Sequence, residues 1–157
     1  MDAQQIDAAL QDTFDSALVH FAYADYLRDY RMYFYHGPGC ITKYRFINCV
    51  VADSATALSP DVWKGSLDEQ LIGDLDAVTY PVDGWVWATR FGNMYPGAHL
   101  VEKSAQANEW SESLGITFYE AVFDAPPIRV RLIFSDLVVE QATPGESPFT
   151  VEPSPEP

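Results

Sequence analysis

The chain has 157 residues, enough for one core without metal or disulfide staples, and its 48% hydrophobic and 14% aromatic residues argue against a mainly disordered chain. Twenty-three acids against nine Lys and Arg give a formal charge of -14. That excess disfavours nucleic acid and anionic membrane as direct partners, both being polyanions, and makes a basic protein the natural complement.

The opening MDAQQIDAALQDTF has neither the basic nor the apolar region of a secretory signal, and no run approaches the roughly 18 apolar residues of a membrane helix. Two cysteines, Cys40 and Cys49, do not make a disulfide framework, so cytoplasmic residence is expected. Asp2 and Gln5 form a capping-box pattern, after which Ile6, Ala9, Leu10, Thr13, Phe14 and Ala17 share one helical face. The other face, with Asp7, Gln11, Asp12 and Asp15, is an acidic wall.

The stretch Phe21 to Gly37 packs seven aromatic rings into seventeen residues, which a soluble domain hides as core or interface. From Tyr30 it alternates, with Tyr30, Met32 and Phe34 on one face and Arg31, Tyr33 and Tyr35 on the other, predicting a strand. His36-Gly37-Pro38-Gly39 is a turn, and Lys43 to Ala52 reads as the partner strand of a hairpin. Asp25, Arg28 and Asp29 are expected to form a local ion network that locks Tyr26 and Tyr30.

Ser59-Pro60-Asp61 predicts a short helix, followed by a dense block of acids: Asp61, Asp68, Glu69, Asp74 and Asp76 against a lone Lys64. Trp85 to Phe91 is a further alternating strand, and Gly92-Asn93 with Tyr95-Pro96-Gly97 reads as an irregular loop. Ser104 caps a helix to about Leu114, with Ala107, Trp110 and Leu114 inward and Gly115 as its stop. Strands are predicted over Ile116 to Phe123 and Ile128 to Glu140. In the second, Leu137 and Val139 have the opposite parity to Phe134, which suggests a bulge or a strand end buried on both faces. The last fourteen residues hold five prolines and read as a loose tail, residues 144–157, behind a single domain of residues 1–143. Hairpin-like connections without regular βαβ alternation imply an α+β fold, a mostly antiparallel sheet of four to six strands with two or three helices packed against it. Six of the nine bases, Arg31, Lys43, Arg45, Arg90, Arg129 and Arg131, fall on predicted strands, as if to share one uncovered face.

No zinc-like spacing links His20, His36, Cys40, Cys49 and His99, and no phosphate or dinucleotide fingerprint is present, so neither metal nor cofactor is expected. Cys49, mid-strand, reads as a buried inert thiol. Asp25, Asp29, Glu120 and Asp136 are acids embedded among apolar residues, a setting that more often pairs with Arg than performs catalysis.

Four motifs in order, Asp25-Tyr26-Leu27-Arg28-Asp29-Tyr30, Gly84-Trp85-Val86-Trp87, Tyr95-Pro96-Gly97 and Phe134-Ser135-Asp136-Leu137, resemble the YxiG-like proteins, small bacterial proteins without an assigned chemistry. The resemblance runs from the first helix to about Phe149; it has a tyrosine where Trp85 stands, carries no catalytic residues over, and implies bacterial origin. The expected function is that of a non-enzymatic interaction protein, monomer or homodimer, whose acids Asp61, Asp68, Glu69, Asp74 and Asp76 bind a basic protein; neutralising a toxin, in an immunity-like role, is one form of this. One alternative is a small-molecule-binding or hydrolytic enzyme with a pocket lined by Tyr26, Tyr30, Trp85 and Trp87 and an acid from Asp29 or Asp136. Another is a nucleic-acid mimic.

Overall fold

The computed structural model of the chain describes residues 1–60 and 92–142. The predicted helix after Pro60, the Trp85 strand and the proline-rich tail lie outside the described residues. Within them the fold is α+β and antiparallel: helix α1 (Ala3–Gln11), strands β1 (Ala17–Tyr23), β2 (Tyr30–Gly37), β3 (Cys40–Ile47), β4 (Val51–Thr56), β5 (Gly92–Asn93) and β6 (Gly97–Leu100), helix α2 (Ala105–Leu114), and strands β7 (Tyr119–Ala125), β8 (Ile128–Phe134) and β9 (Asp136–Gln141). These strands form two sheets, ordered β5-β1-β2-β3-β9 and β4-β8-β7-β6.

The two sheets pack face to face because alternate residues of each are large and apolar. Phe34 and Phe46 meet Phe123 with ring centroids 6.3 and 5.5 Å apart, and Phe46 meets Phe134 at 4.8 Å. All four rings are fully buried. Since burying one such side chain stabilises by about 1.5–3 kcal/mol, this cluster dominates the core. Helix α1 adds Ile6 and Leu10 to the same core and is tied to the first sheet by the Tyr44 hydroxyl, which donates to the Ala9 carbonyl at 2.8 Å. Helix α2 lies on the other side of the four-stranded sheet, where Ala107 and Trp110 pack with Phe118, Ile133 and Val51.

The helix starts fall where the caps were predicted. The Asp2–Gln5 capping box is formed, Ser104 accepts from the Ala107 N–H at 3.0 Å, and Gly115 closes α2 at φ 68°. Other boundaries differ. Helix α1 stops at Gln11, because the Thr13 hydroxyl bonds back to the Leu10 carbonyl and Asp15 takes φ 60°. Phe14 is thereby left exposed against Tyr95, and Ala17 opens β1. The predicted strand from Lys43 to Ala52 is two strands in different sheets, divided at Asn48, whose φ of 49° takes the chain out of extended geometry. The parity slip after Phe134 is likewise a change of sheet at Ser135. Residues 116–118 precede β7 instead of belonging to it, and the Gly92–Gly97 region contributes two short strands.

Candidate functional site

The two changes of sheet lie side by side and anchor an unusual turn. Ser135 donates its backbone N–H to the Ile47 carbonyl at 2.9 Å, and its hydroxyl accepts from Asn48 Nδ2 at 2.8 Å. The Asn48 side-chain oxygen in turn accepts from Arg28 Nε at 2.6 Å, and its backbone N–H donates to Asp29 Oδ1 at 3.1 Å. Arg28 and Asp29 end the connection between β1 and β2, so that connection is held at its base by the crossovers. Its mouth is closed by the Ala24 N–H, which donates to the Asp29 carbonyl at 2.7 Å.

Within this frame Asp25–Leu27 forms a single 3-10 turn in which Tyr26 has φ 71° and Leu27 φ 52°. Left-handed backbone on two consecutive bulky residues costs about 1–3 kcal/mol each. Burial does not offset this cost, since Tyr26 is 98% and Leu27 76% exposed. The turn therefore holds an aromatic and an aliphatic side chain out in solvent.

Beside it is a groove of about 510 Å³ lined by Leu27, Arg28, Asn48, Cys49, Val50, Leu114, Ile116 and Phe118. Leu114, 54% exposed, and Ile116, 46% exposed, form the opposite rim. Leu114 was expected to point inward; it sits in the last turn of α2, beyond the contact that Ala107 and Trp110 make with the sheet. Burial pushes the Cys49 thiol up to about 12, and the thiol donates to the Val51 carbonyl at 3.1 Å. Tyr30 is pushed up to about 12 as well, by burial and its neighbours Cys49 and Tyr23.

Of the predicted pocket residues, Tyr26, Asp29, Tyr30 and Asp136 are among those described. Tyr26 points to solvent and Tyr30 into the core, where it meets Tyr23 edge-on at 5.0 Å. Asp29 is 3.6 Å from Arg45 and Asp136 accepts from the N-terminal ammonium of Met1. Burial works against the Asp136 carboxylate, but the ammonium and the Leu137 N–H hold it below its ordinary range. Of the residues expected to form a local ion network, Arg28 engages Asn48 and Asp29 faces Arg45. Trp85, Trp87, Asp61, Asp68, Glu69, Asp74 and Asp76 lie outside the described residues. Leu27, Leu114 and Ile116 are not marked as site residues by the sequence, which shows an apolar residue inside the charged run Asp25–Asp29 and a pair flanking Gly115.

Among the described residues the strand-borne bases occupy two faces instead of one. Arg129 pairs with Asp124, and Arg131 with Glu120 at 2.7 Å and Asp53 at 3.0 Å, all on the outer side of the four-stranded sheet. Arg31, Lys43 and Arg45 are on the outer side of the five-stranded one. A second hollow of about 330 Å³ is lined by Phe14, His99 and Asp124 among others, and its buried carboxylate, Asp124, is engaged by Arg129. Among the described residues no three His, Cys, Asp or Glu side chains gather as a metal site, and no helix is long and apolar enough to cross a membrane.

No curated protein matches the chain. A solved structure described as the crystal structure of an uncharacterized protein from Neisseria gonorrhoeae is similar over 81% of this chain and 91% of its own, at 13% identity and a TM-score of 0.44. The family model described as YxiG-like protein matches residues 2–152, in keeping with the four motifs, and the chain belongs to the YxiG-like family.

Proposed function

We propose that the protein is a non-enzymatic, cytoplasmic binding protein whose partner is a basic protein that inserts an apolar side chain beside Tyr26 and Leu27. The observation that carries this reading is the strained, exposed Tyr26–Leu27 turn. Strain that folding does not need is explained where it serves recognition, and rigidly presented aromatic residues next to an apolar groove are the usual anchors of an interface. Charge supports a basic partner. Helix α2, whose end rims the groove, exposes Glu109 and Glu112 and carries no base, within a chain of net charge -14. Rings hold such a partner and carboxylates steer it, with the acids Asp61, Asp68, Glu69, Asp74 and Asp76 adding to the field. A secreted toxin or its precursor fits this description, which makes toxin neutralisation the specific form of the proposal.

The test places a photo-crosslinking phenylalanine at position 26 of the full chain in an extract of the producing bacterium, and then measures the captured protein, made recombinantly, by surface plasmon resonance. The expected result is a basic protein whose affinity falls about 30-fold or more in Tyr26→Ala, mostly through faster dissociation, as for a central hot spot. Reversing Asp61, Asp68 and Glu69 to Lys is expected to slow association and flatten its salt dependence. Capture of acidic proteins alone, or equal affinity of wild type and Tyr26→Ala, would overturn the reading.

A further inference from the structure

The outer face of the five-stranded sheet carries an electrostatic imbalance that the interface reading leaves unused. Its strands align in rungs. One rung runs Ala22, Arg31, Arg45, Val138 across β1, β2, β3 and β9, and the next runs His20, Tyr33, Lys43, Glu140. The second rung contains its own neutralising pair, Lys43 and Glu140, at 2.9 Å. The first contains two guanidinium groups and no acid.

Residues directly opposite in an antiparallel pair have Cβ atoms only about 5 Å apart, and like charges there repel. Asp29, just ahead of β2, forms an ion pair with Arg45 at 3.6 Å, longer than a hydrogen bond, and its other oxygen accepts from the Asn48 N–H. Arg31 makes no ion pair among the described residues, and its Nε is buried without a hydrogen-bond acceptor. Both features are costly in a folded protein, because a buried donor left unpaired loses its hydration for nothing. The surroundings sharpen the effect. Tyr33, one step along the strand on this outward face, is only 2% exposed, so charges here are poorly screened by water.

We propose that Arg31 and Arg45 together bind a small oxyanion, a carboxylate or phosphate group of a free solute. Two oxygens of such a group match the planar fork of one guanidinium and bridge to the other, supplying the acceptor that Arg31 Nε lacks and cancelling the repulsion across the rung. Lysine cannot reproduce the fork, so both positions require arginine. The site is separate from the Tyr26 groove and does not depend on any protein partner.

The test follows the arginine Nε–H signals of the full chain by 1H–15N spectroscopy, with Arg31 assigned through its side chain, so that the reading does not rest on a variant's folding. Sodium phosphate and sodium citrate are titrated separately at ionic strength held constant with sodium chloride. Expected is a saturable shift of the Arg31 Nε–H with at least one of them, at a Kd of about 1 mM or tighter. Which of the two binds distinguishes phosphate from carboxylate recognition. Arg31→Lys should weaken the response about tenfold, read through the Arg45 Nε–H. In chloride buffer, Arg31→Met should melt no lower than the wild type, since it removes an orphaned donor and a like-charge contact. No shift with either anion, or a linear drift shared by the surface residue Arg129, would overturn the proposal. A fall of several degrees in the Arg31→Met melt would do so too, by making Arg31 a structural residue.

Discussion

Glu120 shows how single carboxylates in this acidic chain are put to structural use. It accepts from Arg131 Nε at 2.7 Å and from the Ser104 hydroxyl, which also caps α2. Burial pushes its carboxyl up, but the Arg131 and Ser104 hydrogen bonds outweigh burial and hold it below the ordinary range. A carboxyl depressed in the folded state contributes stability above its unfolded value of about 4.3, and that contribution disappears as pH falls through the folded value. Glu120→Gln is therefore expected to destabilise by about 2 kcal/mol at pH 7 in urea melts, with the gap to wild type closing below about pH 4. A gap that persists undiminished in acid would mean that packing, not charge, keeps Glu120 in place. The sequence marked Glu120 as an embedded acid of the kind that often pairs with Arg, and Arg131 is its partner. For Arg28 and Asp29 the partner is not local: a hydrogen-bonding asparagine lies twenty and nineteen residues away from them.

Elements with chemically explicit ends were legible in the chain, and those whose ends depend on distant structure were not. A capping box, a serine cap and a glycine stop each satisfy backbone groups locally, so both helices could be read from a few residues. The β2–β3 hairpin was equally explicit in its two glycines, which take φ 135° and 73°. The breaks at Asn48 and Ser135 are different in kind. Alternation records which side of a strand a residue faces, so a slip at Ser135 announces a reset without saying where the chain goes next. At Asn48 the break lies in a backbone angle that asparagine tolerates but does not impose. The Tyr26–Leu27 turn was hidden for the same reason. Large apolar side chains are usually buried, and at these two the backbone turns them outward. If their role is recognition, Tyr26→Ala should change folding stability by no more than about 0.5 kcal/mol, as exposed sites do, whereas Phe46→Ala should cost about 3–5 kcal/mol. Chemical denaturation of both variants checks this, and a Tyr26→Ala loss as large as that of Phe46→Ala would assign the turn to the fold.

At the scale of the whole molecule, charge is the dominant unspent quantity. Ion pairs on both outer faces engage Lys43, Arg129 and Arg131 locally, while the chain as a whole keeps an excess of fourteen acids to repel one another. Such repulsion is longer-ranged than the local pairs and is the first to be screened by salt, since the Debye length falls to about 8 Å at 0.15 M. The melting temperature is accordingly expected to rise by a few degrees between low salt and 0.15 M sodium chloride at pH 7. A fall over the same range would mean that the local pairs outweigh the net repulsion.

The order in which strands join the sheets has a further consequence. Reading along the chain, β1 to β3 enter one sheet, β4 the other, β5 the first again, β6 to β8 the second, and β9 returns to the first. The described strands of the two layers are thus plaited through the sequence, and wherever the backbone is severed between β4 and β8, neither piece inherits a whole layer. Fragments made in that way can recover the native form only by finding each other, which makes the protein a candidate for split-reporter engineering in which reassembly itself is the signal.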